Sequence, residues 1–126
     1  MRKFLRYYIP VLFWIFFIYL SSYLLKDNSI SRSILHLDKV VHFFEYGILG
    51  FLFLRAIYYS QSERELPRSL LTAFGITIFF AAFDELHQIY VPGRTASFMD
   101  FAADFAGIIA AIFVFRYIVK KTSILE

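Results

Sequence analysis

Residues 7–25 read YYIPVLFWIFFIYLSSYLL, 19 consecutive residues without a formal charge. An α-helix rises about 1.5 Å per residue, so roughly 20 apolar residues cross the ~30 Å hydrocarbon core of a bilayer. The run meets that length. Pro10 falls within the first turns of the predicted helix, where a missing N–H is best tolerated. Met1-Arg2-Lys3 resembles the basic start of a secretory signal, but the apolar region of a signal covers roughly 7–15 residues and is followed by a small-x-small cleavage site. Neither condition holds here, so the expectation is a retained membrane helix over residues 4–25. Tyr7, Tyr8, Trp14, Tyr19 and Tyr23 supply candidates for aromatic belts at both interfaces.

Composition extends this reading to the whole chain. Of its 126 residues, 60% are apolar, 18% are charged and 17 are Phe. A soluble domain carries about 45–50% apolar and about 25% charged residues. The length suits a single domain, 1–126. With no cysteine, disulfides and thiolate metal sites are excluded. The net charge of +3 gives no nucleic-acid signal, because the basic residues cluster at predicted helix ends.

Three further spans are predicted, over residues 38–59, 69–91 and 98–119. Together they make an all-α integral membrane protein, a bundle of four transmembrane helices. Pro92-Gly93 ends the third span, and Ser69 and Ser97 look like helix caps. Lys and Arg at the span ends set the orientation. Arg2, Lys3, Arg6, Arg55, Arg64, Arg68, Arg116, Lys120 and Lys121 fall on one side, against Lys26, Arg32, Lys39 and Arg94 on the other. Both termini are therefore expected in the cytoplasm, with the chain in a bacterial cell membrane.

Threading four helices in alternation brings distant polar segments to one depth. Helix 2 starts at the outer face, helix 3 ends there and helix 4 starts there. Asp38, Glu45, Asp84, Glu85, Asp100 and Asp104 lie in those segments, offset by Lys39 and Arg94. Ionisable groups at such depth are costly and normally face the bundle interior or a water-filled cavity. Helical spacing gives stripes of Asp38, His42 and Glu45, of Ala81, Asp84 and Gln88, and of Asp100, Asp104, Gly107 and Ala111. Small residues on the last stripe mark close helix packing.

Several of these residues have plainer roles available. Asp38 suits a helix N-cap, and Asp100 suits a capping box with Ser97. Lys39 and Arg94 suit snorkelling to the interface, and His36 a loop position. His87 falls beside the Asp84 face. Asp84, Glu85, Gln88, His42 and Asp104 are not obvious caps and are the stronger functional candidates.

The segment Asp-Lys-Val-Val-His-Phe-Phe-Glu-Tyr-Gly-Ile-Leu-Gly at 38–50, Asp84-Glu85-Leu86-His87-Gln88, Pro92-Gly93-Arg94, and Asp100 followed by Gly107 together resemble the VanZ-like family of bacterial membrane proteins. The resemblance covers helices 2 to 4. Its recurrent pattern falls on Lys39, His42, Phe43, Tyr46, Gly50, Asp84, Glu85, Gln88, Arg94, Asp100 and Gly107. One position departs: relatives commonly carry Asn four residues after the helix 4 Asp, and this chain has Asp104. The resemblance implies a link to low-level resistance to the glycopeptide antibiotic teicoplanin.

Three functions remain open from the residues. The first is an outward-facing pocket for a lipid-linked or glycopeptide-like envelope molecule. Asp84 and Glu85 would there divide acid and base roles, His42 would relay protons, and Lys39, Glu45, Tyr46, Gln88, Arg94, Asp100 and Asp104 would hold the ligand. The second is a divalent metal as cofactor, since His42-x-x-Glu45 and Asp84-x-x-His87 are i, i+3 pairs of ligand type. Neither pair matches the Glu-x-x-His diiron motif or the His-Glu-x-x-His of zincins. The third is a non-enzymatic helper or transport subunit in which the polar cluster is interhelical glue. The inner halves of helices 2 to 4 carry no matching acids, which argues against a full proton conduit.

Overall fold

A computed structural model of the chain describes residues 2–24, 37–92 and 96–125. These residues form four helices: α1 (Arg2–Leu24), α2 (Leu37–Ser60), α3 (Leu66–Gln88) and α4 (Phe98–Leu125). Each is long and apolar enough to cross a membrane, and no strand occurs among the described residues. The predicted four-span, all-α architecture is what the chain adopts.

The limits of α3 and α4 differ from those read in the sequence. α3 begins three residues early because Pro67 occupies its first turn, where proline needs no hydrogen-bond partner. Glu65 is then the cap residue, and Ser69 is no cap: its hydroxyl donates to the Glu65 carbonyl at 2.9 Å, inside the helix. At the other end α3 stops at Gln88 and tightens through Tyr90 N–H to His87 O and Val91 N–H to Gln88 O, at 2.9 and 3.2 Å. α4 continues past Val119 to Leu125, carrying exposed Lys120 and Lys121 on a last turn and a half.

The chain runs up and down. Tyr8 of α1 meets Ser60 at the end of α2, while Ser21 of α1 meets Glu45 near its start, so these two helices are antiparallel. α2 and α4 run parallel, with Lys39 beside Asp100 at one end and Phe115 against Tyr58 and Tyr59 at the other. α2 is the central helix. Half of its span (50%) is buried inside the bundle, against 11% for α1. Its most extensive partner is α4.

Burial is inverted relative to a soluble protein. His42, Thr77, Asp84, Gln88, Asp100 and Asp104 are buried, whereas Phe13, Phe16, Phe79, Tyr90 and Phe98 lie on the surface. An apolar exterior of this extent is stable against lipid, not water.

The α2–α4 seam is set by glycine. A Cβ on Gly107 would collide with the Phe43 carbonyl oxygen and stand 3.0 Å from the Gly47 nitrogen. One on Gly47 would stand 3.2 Å from the Gly107 carbonyl oxygen. Two helix backbones touch here, as small residues permit in membranes. Gly107→Ala is expected to cost about 1–3 kcal/mol, the usual range for overpacking. Gly75 has nothing within 4 Å of its Cβ position, so Gly75→Ala leaves stability unchanged or slightly raised. Thermal unfolding in detergent checks both; equal melting of the two variants would refute the backbone contact.

Candidate functional site

The polar segments of α2, α3 and α4 meet at one end of the bundle, as the spacing of their residues predicts. α2 and α4 are joined there by two rungs. Lys39 Nζ donates to Asp100 Oδ1 at 3.0 Å, and one turn further in His42 Nδ1 lies 2.9 Å from Asp104 Oδ1. Lys39 and His42 are three apart on α2, and Asp100 and Asp104 four apart on α4, so each pair stands on one face. The inner rung is fully enclosed, with His42 2% and Asp104 0% exposed.

α3 enters from the opposite direction. Gln88 Nε2 donates to Asp84 Oδ2 at 3.1 Å, and both side chains are buried. Glu85 Oε2 accepts the backbone N–H of Ser97 at 2.7 Å. That contact replaces the capping box expected within α4. Ser97 is the cap residue, its carbonyl accepting from Asp100 N and Phe101 N at 3.0 and 3.1 Å. Its own N–H, however, goes to an acid from another helix, which leaves Asp100 for Lys39.

Potential metal ligands gather in two sets among the described residues. Asp38, His42 and Asp100 form one, and His42, Glu85 and Asp104 form the other, with ligand atoms in each set within 4.8 Å of one another. Neither contains Glu45 or His87, so the two sequence-local pairs are not the ligand sets. Sixty degrees of helical rotation separate Glu45 from His42, enough to turn Glu45 toward α1. Its Oε1 accepts from Ser21 Oγ at 2.6 Å, and its backbone carbonyl accepts from Trp14 Nε1 at 2.9 Å. The His87 ring stands edge-on to Tyr19 at 5.4 Å. Tyr46 is buried and donates to the Phe80 carbonyl at 3.2 Å, tying α2 to α3. Arg94, expected to hold an anion, lies outside the described residues, as do Lys26, Arg32 and His36.

Sequence reasoning missed Ser21, Trp14, Tyr19 and Ser97 as partners of these groups. A signal existed for the first: Ser21-Ser22 is the polar pair at the end of α1 that meets the cluster. Glu85 and Ser97 also border a groove of about 400 Å³ between the end of α3 and the start of α4. Its other walls are apolar, among them Leu86, Ile89, Phe98 and Phe101. Glu85 thus belongs to the buried cluster and to the groove wall at once.

Fold and cluster together define a multi-pass helical membrane protein that buries histidine and carboxylates at one end of its bundle. The model of the VanZ/LLP1 family matches residues 3–120, and the chain belongs to that family. The match takes in α1 as well as the three helices that carry the resemblance. No curated protein and no solved structure matches the chain.

The inner rung yields a direct test. Asp104→Asn retains a hydrogen-bonding group beside His42 and is expected to hold stability within about 1 kcal/mol. Asp104→Ala leaves a buried ring nitrogen unsatisfied, at a cost of about 1–3 kcal/mol. Comparable unfolding midpoints for the two variants would show that the rung contributes nothing.

Proposed function

We propose that this protein binds or processes a lipid-linked or glycopeptide-like envelope molecule at the outer face of the bacterial cytoplasmic membrane. One observation carries the reading: Glu85 stands where the buried polar cluster meets an apolar groove on the lipid-facing side of α3 and α4. An amphiphile with an acyl or isoprenoid chain in that groove would present its head group to Glu85. Behind Glu85 lie His42 and Asp104, in the same set of gathered side chains. In this scheme Glu85 and Asp84 share acid and base roles, and His42 relays a proton. Gln88 and Tyr46 hold the inner wall, the Lys39–Asp100 pair holds the mouth, and Arg94 takes an anionic group. Glu45 supports the site from the α1 side.

The plain alternative is that the cluster only glues helices together. Interhelical hydrogen bonds in membranes average about 0.6 kcal/mol. Two rungs account for Lys39, His42 and Asp100 in that role. They leave Asp104 Oδ2 and Glu85 Oε1 buried with no hydrogen-bond partner among the described residues, which glue does not require.

The sidedness is part of the proposal and follows the basic residues. Arg55 lies over the Tyr7 ring at 5.4 Å and Arg64 over Tyr59 at 5.1 Å, at the end opposite the cluster. A cytoplasmic location for that end predicts labelling of Pro92→Cys by an impermeant thiol reagent in intact cells and protection of Gln61→Cys. The reverse pattern would turn the site to the cytoplasm.

Expression in a teicoplanin-susceptible host is expected to raise the inhibitory concentration. Glu85→Gln and Asp84→Asn should return it to the vector-only level while membrane abundance and helical content stay at wild type. Should both variants protect as well as the wild type, or the wild type bind no glycopeptide or lipid-linked precursor and give no protection, the pocket reading fails.

A further inference from the structure

His42, Glu85 and Asp104 come from three different helices, yet one ligand atom from each lies within 4.8 Å of the others. All three are at least nine-tenths buried, at 2%, 9% and 0% exposure. Asp104 uses Oδ1 on His42, and Glu85 uses Oε2 on Ser97 N–H. The second oxygen of each carboxylate, Asp104 Oδ2 and Glu85 Oε1, is buried with no hydrogen-bond partner among the described residues. Among those residues no Lys or Arg forms an ion pair with either acid; Lys39 pairs with Asp100, and Asp104 faces His42. Buried carboxylates normally end on donors, on cations or on metals.

We propose that His42, Glu85 and Asp104 bind one first-row divalent cation, of the zinc or manganese class. Imidazole with two carboxylates is the ligand chemistry of such ions. Ligand atoms about 2.0–2.2 Å from a metal stand roughly 3–4 Å apart, so gathering the three donors, within 4.8 Å of one another, around an ion needs a contraction of at most about 2 Å. His42 Nδ1 and Asp104 Oδ1, at 2.9 Å, share a hydrogen bond that an ion on Nδ1 would replace. Two carboxylates and a neutral imidazole also balance a 2+ charge in a setting that tolerates little net charge. Three protein ligands leave a coordination position open, as catalytic sites keep one. Glu85 borders the groove, so that position is reachable from it. The site goes beyond the ligand reading above and does not depend on what fills the groove.

The test uses the full chain, purified in detergent, stripped with a chelator and titrated with Zn2+ or Mn2+. One equivalent is expected to bind the wild type with micromolar or tighter affinity. Glu85→Gln and Asp104→Asn should each weaken binding by more than the about 10–100-fold seen for outer-shell changes. Asp38→Asn, in the neighbouring set of Asp38, His42 and Asp100, should bind as the wild type does. Pulsed EPR of the Mn2+-loaded wild type should report a single histidine nitrogen that persists in His87→Ala. That signal stands even if a ligand variant fails to fold. Absence of binding by the wild type, equal binding by both ligand variants, or loss confined to Asp38→Asn would overturn the assignment. Because no envelope molecule enters the measurement, failure here and failure of the teicoplanin assay are read separately.

Discussion

The structure turns on the seam where α2 and α4 touch backbone to backbone at Gly47 and Gly107. Packed helices usually lie about 8–10 Å apart, a spacing set by intervening side chains. Removing those side chains brings the helices close enough for an Asp, which has one methylene, to reach across. Asp104 then meets His42 and Asp100 meets Lys39, one turn and two turns beyond the glycine contact. The order of dependence is clear from burial. A polar group inside a membrane bundle must be satisfied within the bundle, since lipid offers it nothing. Without the seam, His42 and Asp104 would be separated and unsatisfied in an apolar medium.

From the seam outward, each helix is fixed by a few polar contacts and otherwise by apolar packing. Glu85 reaches from α3 to the first turn of α4, holding the start of that helix to the end of the previous one. Ser21 and Trp14 attach α1 to Glu45. At the opposite end the filling is aromatic: Phe115 is buried among Phe51, Tyr58 and Tyr59, with ring centroids 5.6–6.4 Å apart. Thr77 and Ser69 donate back to carbonyls of their own helix. The opposite end of the bundle is thus packed with rings, away from the cluster.

How much of this is legible in the sequence depends on range. The four spans are legible because the bilayer imposes a length, and a 19-residue uncharged run answers to nothing else. The convergence of Asp84, Glu85, His42, Asp100 and Asp104 is legible too, because alternation of short connections leaves their segments no other end to occupy. What is not legible is which neighbour each side chain chooses. Pro67 extends α3 backward, so Ser69 becomes an interior residue; a proline alone marks either a break or a first turn. Asp100 fits a capping box by spacing, but Glu85, twelve residues before Ser97, takes the N–H first. Glu45 shares a stripe with His42 on paper, and a rotation of one-sixth of a turn gives it to α1. Choices of this kind are made between helices, where local periodicity carries no information.

Asp104 shows why the distinction matters. The resemblance leads one to expect Asn there, and an Asn would satisfy a buried His42 with a neutral hydrogen bond. Carboxylate in place of amide puts an ionisable group at a position with no exposure, beside His42. A buried carboxylate is expensive unless paired, and here His42 is the partner at hand, with the second acid Glu85 close by. In the proposed reading the acid at 104 serves what approaches the site: Oδ1 lies beside His42, and Oδ2 has no hydrogen-bond partner among the described residues.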